Sequence, residues 1–338
     1  MMKKFIVKVV IAVICCAAII CVFNAMYVNT YSFQHMNDMY KFNDVPEHID
    51  VANFGASHST LAFDWTDYAD EFHGFNMGLG SQTLVYDAAL FDYYFERFDE
   101  NSTVIVDIMF KSLYETEPLQ KPYSSDKTRY YQVLPREYIR QWNLEDEIQY
   151  RILPILGNRQ NGIEYIEKEL FEKVSALFSH KEESGTSNSS VEIDIVGEPT
   201  QVLDGWEEDA MVAEGKRRAE SFMQQSGTQE LGIQYEALIH MIEKCKENNI
   251  QIILVTVPTL PCHYEGFSEG FMNRFYQDME GICEKYDVTY IDYTGDERFL
   301  QDYRLFHDTD HFNDKGAKFF TGQFLEDNET VLQFLNCK

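Results

Sequence analysis

The stretch Val51-Ala52-Asn53-Phe54-Gly55-Ala56-Ser57-His58-Ser59-Thr60 decides the fold. An apolar run beginning near Ile49 stops at Gly55-Ala56-Ser57, and a segment with apolar Leu61, Phe63 and Trp65 follows. This order predicts a buried strand, a tight turn of small residues and the start of a helix. A serine in such a turn stands at the carboxyl end of a strand, where open α/β sheets place their ligands. Backbone N–H groups there, including those of the helix start, can face a developing oxyanion. Small residues let a substrate approach the backbone closely. The plainer reading is an ordinary strand-to-helix turn in which the serine caps the helix.

Outward from this stretch the same rhythm repeats. Gly74-Phe-Asn-Met-Gly78 reads as a short strand entering a Gly-rich turn, Leu84 to Phe98 has helical spacing of apolar residues, and Thr103 to Met109 is a buried-strand run. Residues 111–180, rich in Tyr, Glu, Gln and Leu, interrupt the pattern and read as helices with loops, a cap inserted over the strand ends. Residues 181–200 are polar and read as a flexible loop. In Gly205-Trp206 the isolated aromatic either lines a glycan site or packs a loop onto the domain. The alternation resumes with a helix from Ile233 to about Glu247, a strand over Ile250–Val257, a helix over Phe271–Tyr286 and a last strand at Val288-Thr-Tyr-Ile-Asp292-Tyr. Strands alternating with helices on both sides of the insertion predict an α/β fold: a mostly parallel sheet with helices on both faces.

Near the C-terminus stands Leu305-Phe306-His307-Asp308-Thr309-Asp310-His311-Phe312-Asn313. Asp308 and His311 are three apart. In a turn leading into a helix this spacing brings carboxylate and imidazole together, leaving the second ring nitrogen free to take a proton from a serine. His58 is a poor base for Ser57, because consecutive side chains diverge. Asp310 is badly placed to orient its neighbour His311, and His307 reads as a surface or lid residue. Asn76, Gln82 and Asp107 could reach the pocket, but turn and strand-end roles suit them better.

Gly55-Ala56-Ser57, the Asn76-Met-Gly78-Leu-Gly80-Ser-Gln82 stretch and Asp308-Thr-Asp-His311 together resemble blocks of the SGNH/GDSL hydrolases. More narrowly they resemble the membrane-anchored DltD-like, glycan O-acyl-modifying members. The resemblance covers roughly residues 47–110 and 232–325, and it implies a flavodoxin-like three-layer fold. It also implies a triad of Ser57, His311 and Asp308, with the oxyanion bound by the N–H of Ser57 and one from the Gly78–Ser81 turn, Gly80 first and Ser81 second. The family's Gly-x-Asn block after the third strand is missing from Val104-Ile-Val-Asp107-Ile-Met-Phe-Lys-Ser-Leu, which narrows the branch.

Composition bounds the partners. With 28 Lys+Arg against 56 Asp+Glu the formal charge is −28, which argues against nucleic acid and against a broad basic surface on anionic lipid. No Cys-x-x-Cys spacing occurs, so a metal knuckle is not expected; Cys245 and Cys283 read as core residues. The chain opens with Lys3 and Lys4, and Phe5 to Tyr27 is almost wholly apolar, interrupted by Lys8 and Asn24. That run can span a bilayer with its N-terminus inside and the bulk of the chain outside. No small-x-small site follows it, so an uncleaved anchor over residues 1–27 is expected, then a stalk over 28–46 and an α/β domain over 47–338 with 111–231 inserted.

The leading function is an extracytoplasmic serine esterase or acyltransferase acting on acyl esters of envelope glycans or teichoic acids, beside a possible membrane O-acyltransferase partner. No cofactor is implied. One alternative is a catalytically weak acyl-binding or scaffolding partner of such an acyltransferase. Another is a zinc or manganese hydrolase using His307, Asp308, Asp310 and His311, joined by His263 and Asp292.

Overall fold

The computed structural model describes residues 2–35, 38–115, 128–178, 208–300, 303–329 and 332–336. The predicted loop over 181–200, Trp206 and Cys337 lie outside these. Five strands, β1 (Ile49–Phe54), β2 (Gly74–Asn76), β3 (Phe98–Asp107), β4 (Gln251–Thr256) and β5 (Thr289–Asp292), form one sheet in the order β2-β1-β3-β4-β5. Every neighbouring pair is parallel. Helices make the crossovers that parallel pairing demands. Among them are α2 (Ser57–Ala62), α3 (Leu84–Tyr94), α6 (Ile233–Glu247) and α7 (Glu269–Tyr286), and α8 (Asp314–Asn328) follows the last strand.

The two sheet faces follow from the strand period of two. Val51, Ile105, Ile253 and Val255 share one face and join a core completed by Phe320 and Phe324 of α8. Phe54 points the other way, meeting Phe91 of α3 edge-on with ring centroids 6.0 Å apart. The fold class is the expected one. β3 starts earlier than the apolar run suggests, because Asp99, Glu100 and Asn101 are polar. Pairing jumps from Ile49–Phe98 to Val51–Thr103, and Asn101, at φ 76°, donates its N–H to the Asn249 carbonyl at 3.1 Å.

The described chain divides into two compact units, Met1–Asp44 with Lys127–Glu198, and Val45–Asp126 with Pro199–Lys338. In the first, α1 (Met2–Val28) has 27 residues, about 40 Å at 1.5 Å per residue, long and apolar enough to cross a bilayer. Asn24, the polar break in its apolar run, accepts the Ile155 N–H at 3.2 Å. Tyr27 is buried with Ile155 and Ile166, and its hydroxyl accepts from Asn158 at 3.0 Å. Residues read from sequence as a stalk form a short helix, Tyr31–His35, and a 3-10 turn, Asp38–Asn43. The Tyr31 N–H donates to Glu169 of α4 (Arg159–Phe178) at 2.8 Å. Helix α5 (Glu208–Gln225), which sequence reading places in the insertion, belongs to the α/β unit.

The strand order sets the crevice. β2 lies to one side of β1 and the later strands to the other, so the direction of winding reverses between β1 and β3, where an open sheet leaves a binding cleft at its carboxyl edge. The turn after β1 needs its glycine. Gly55 has φ 138°, and a Cβ there would stand 2.9 Å from Ser59 Cβ and 3.0 Å from Asp107 Cβ. Gly55→Ala is therefore expected to lower unfolding stability by about 1–3 kcal/mol, measured by urea unfolding of the purified full chain.

Candidate active site

Ser57 is the first residue of α2, and Ala56, which has no capping side chain, stands at the N-cap. The serine is therefore not spent as a cap. The turn is held instead by Asn53, fully buried on β1. Its amide donates to the Ser59 carbonyl and hydroxyl at 3.2 and 3.0 Å, and its oxygen accepts from Trp65 Nε1 at 2.8 Å. Both ends of this buried amide are satisfied, as burial requires.

The partner loop closes from the other end of the chain. Phe306 and Phe312 form an antiparallel bridge, with the His307 N–H on the His311 carbonyl at 2.8 Å. Asn313 caps α8 through the Gly316 N–H. Between these clamps, Asp308 Oδ1 accepts the backbone N–H groups of Asp310 and His311 at 3.0 and 2.9 Å. The same carboxylate faces His311 Nδ1, at 2.9 and 3.0 Å from its two oxygens. His311 Nε2 lies 2.7 Å from Ser57 Oγ. With Nδ1–H donating to Asp308, Nε2 is the acceptor and the hydroxyl is the donor. The three residues separated in sequence thus form one hydrogen-bonded chain at the carboxyl edge of the sheet. His307, half-buried, is held there by its backbone and stands outside the chain.

Gly80 and Ser81 sit in the turn after β2. In that turn the N–H groups of Met77, Leu79 and Gln82 go to backbone carbonyls, and that of Gly78 goes to Asn76 Oδ1 at 3.0 Å. Ser81 adopts φ 54°, a left-handed conformation that costs a non-glycine residue about 1 kcal/mol or more. Asn76 spends its amide on the Thr60 and Phe63 carbonyls. Gln82 spends its own on the Met77 carbonyl and Asp87. Both hold turns and neither is free for a ligand.

The sequence reading missed Arg218. It reaches in from α5, donating from Nη2 to Asp308 at 2.9 Å and from Nη1 to Asp310 at 2.5 Å, while Nε holds Glu214 at 3.0 Å. The one available signal was Lys216-Arg217-Arg218, the single run of three basic residues in an acidic chain. Asp310 is also more central than its sequence position suggests. It is almost fully buried, its other oxygen takes His58 Nε2 at 3.0 Å, and Thr309 donates to it at 3.1 Å. It lies 3.9 Å from His311 Nδ1, too far to orient that ring. His58 is no base for Ser57; it stacks on the His311 ring with centroids 4.5 Å apart.

The electrostatics follow from these contacts. Burial pushes His58 and His263 down to about 4, so both are neutral at pH 7. Burial would lower His311 too, but Asp310 and Asp308 outweigh it and hold the imidazole above its ordinary value. Both carboxylates stay below theirs despite burial. For Asp310 the leading counterweight is the His311 charge, followed by the His58 bond; for Asp308 it is the His311 bond.

Among the described residues His58, Asp310 and His311 each bring a potential ligand atom within 4.8 Å of the others, a group that shares only Asp310 and His311 with the set the metal alternative named. The cation in this cluster is already Arg218, against Asp310 and 3.4 Å from His311 Nδ1. A divalent ion would have to sit beside that guanidinium, so the donor set does not fit one. Asp292 is taken by Tyr276 and Thr294.

A family model described as DltD protein matches residues 92–317, two thirds of the chain. The chain belongs to the DltD family. A solved structure from Bacteroides fragilis, described as a presumed acylhydrolase, is similar at 10% identity with a TM-score of 0.37, covering 88% of this chain and 96% of that one. A comparison with curated proteins returns no match.

Asp107 closes the floor of the site at the end of β3. It is almost fully buried and neither oxygen makes a well-formed hydrogen bond. Burial pushes it up to about 8, opposed by the backbone N–H groups of Val257 and Ser59; nearby Asp87 is pushed up to about 7. A raised folded-state value means the folded chain holds a proton that the unfolded chain releases near pH 4. Stability is then full below about pH 4 and falls as pH rises towards 8, by at most about 1.4 kcal/mol per pH unit for each such group. Asp107→Asn should flatten this fall, leaving the Asp87 part, in melting temperatures taken from pH 5 to 9.

Proposed function

We propose that this DltD-family chain is a membrane-anchored, extracytoplasmic acyl-modifying enzyme that works through Ser57, His311 and Asp308. The observation that carries the reading is the 2.7 Å contact between Ser57 Oγ and His311 Nε2, with Asp308 on the second ring nitrogen. Family membership supports acyl chemistry at the envelope, and helix α1 is compatible with a single-pass anchor. The substrates in this reading are acyl esters of envelope glycans or teichoic acids.

The steps follow from the geometry. Ser57 Oγ attacks the acyl carbonyl as His311 Nε2 takes the hydroxyl proton. The carbonyl oxygen, now an oxyanion, is met by the Ser57 N–H at the uncapped helix start and by an N–H from Gly80 or Ser81. Collapse breaks the bond to the leaving alcohol or thiol, which receives the proton from His311. An acceptor hydroxyl or water then attacks the acyl-serine with the same imidazole as base. Asp308 holds the ring in the tautomer with Nδ1 protonated.

A fluorophosphonate probe should label Ser57 in the wild-type chain and leave Ser57→Ala unlabelled. Ser57→Ala and His311→Ala should each abolish acyl-ester turnover, and the double variant should lose no more than either alone. Asp308→Asn should lose a hundredfold or more while the chain still folds; the equivalent change in a serine protease triad costs about ten-thousandfold in turnover. An unlabelled wild-type serine in the folded chain would point to the acyl-binding partner role instead. For topology, protease added to intact cells should degrade the chain beyond residue 45, and full protection would reverse the orientation.

A further inference from the structure

We infer that Arg218 and Asp310 form an opposed pair of positioning charges that tunes how readily His311 accepts the Ser57 proton. This rests on the triad reading above and deepens it. Arg218 grips two carboxylates at once, 2.9 Å from Asp308 and 2.5 Å from Asp310, and its Nη1 stands 3.4 Å from His311 Nδ1. Both nitrogens carry hydrogen, so this approach is a repulsion between donors and not a bond. The guanidinium therefore does two things. It ties Asp308 to Asp310 by placing one nitrogen of its planar group on each carboxylate, a two-point grip that lysine does not reproduce, and it opposes the positive charge that His311 gains in the reaction. Asp310, buried and 3.9 Å from the same nitrogen, favours that charge.

Every element around the ring contributes a group that enters the balance. The loop of His311 itself supplies Asp308 and Asp310. Helix α2 supplies Ser57 and the stacked, neutral His58. Helix α5 supplies Arg218, with Glu214 behind it. The short helix Pro261–Tyr264 supplies His263, neutral and with Nε2 4.0 Å from Asp310. The end of β3 supplies Asp107, protonated at neutral pH, and Lys111 beyond it acts on His58. The groups charged at pH 7 next to the ring are thus two carboxylates and one guanidinium. Their sum is one negative charge, which the imidazolium completes. Removing Arg218 leaves two uncompensated negative charges facing the ring, and removing the Asp310 charge leaves none. The two changes must therefore move the protonation of His311 in opposite directions.

The test is a titration of the full chain in detergent micelles with 15N-labelled histidine, His311 being assigned by its loss in His311→Gln. Arg218→Gln should move the His311 midpoint up by about one pH unit or more, and Asp310→Asn should move it down by a similar amount, the range in which a close, partly buried charge acts. The double variant should return near the wild-type midpoint. Arg218→Lys, which keeps the charge and loses the two-point grip, should titrate near wild type while turnover falls at least tenfold. The acid limb of fluorophosphonate labelling should follow the same signs, since labelling needs neutral His311. Midpoints that stay put, or that move the same way in both variants, overturn the inference. If Arg218→Gln does not fold, a midpoint in Asp310→Asn that is unchanged or raised overturns it alone. Failure of the serine reading is distinct: Ser57 would go unlabelled in the wild type, while the histidine titration would still report the balance of charges.

Discussion

Two carboxylates two positions apart, Asp308 and Asp310, are turned toward one half-buried imidazole, and one guanidinium stands between them. Taking such charges out of water costs several kcal/mol each unless partners satisfy them. Here each is satisfied. Asp308 accepts two backbone N–H groups, His311 and Arg218, and Asp310 accepts Arg218, His58 and Thr309. The loop has this shape because Arg218 reaches both acids. Without the cation two carboxylates would face the same imidazole with nothing to offset them but its own charge, and they would repel each other across the loop.

The sheet supplies the place for this arrangement. Its order puts the winding reversal between β1 and β3, so the turn after β1 opens into the cleft. Gly55 lets the chain turn there at a φ that other residues avoid, and Asn53 ties the turn to Trp65 and Ser59 from below. Asp107, at the end of the next strand, is buried under the same turn, and burial pushes its carboxyl up to about 8. A buried floor and an uncapped helix start leave the half-buried Ser57 hydroxyl to His311. In the proposed reading this keeps the serine from being consumed by local hydrogen bonding.

The unit that carries α1 has its own logic. Asn24 and Tyr27, near the end of an otherwise apolar helix, are polar because they bond to Ile155 and Asn158 of the helical insertion. Helix α1 is therefore joined to folded structure at its C-terminal end, and the residues after it form helical turns where the sequence suggested a plain stalk.

The alternation of apolar runs and helical patterns was enough to read an α/β fold from the sequence, because strand and helix periods are local and repeat along the chain. The Ser57 turn and the Asp308–His311 spacing were legible for the same reason: each is a short pattern whose chemistry depends on near neighbours. Arg218 was not legible. It lies 90 residues from Asp308, and nothing periodic marks a contact made at that distance. Asp310 and His58 were visible as residues, but their pairing across 252 positions was not. The sequence by itself determined which elements form and which side chains could do acyl chemistry. Only the tertiary structure decided which charges face one another, because electrostatic partners are selected by distance in space after the chain has packed, and burial then fixes which of them stay charged.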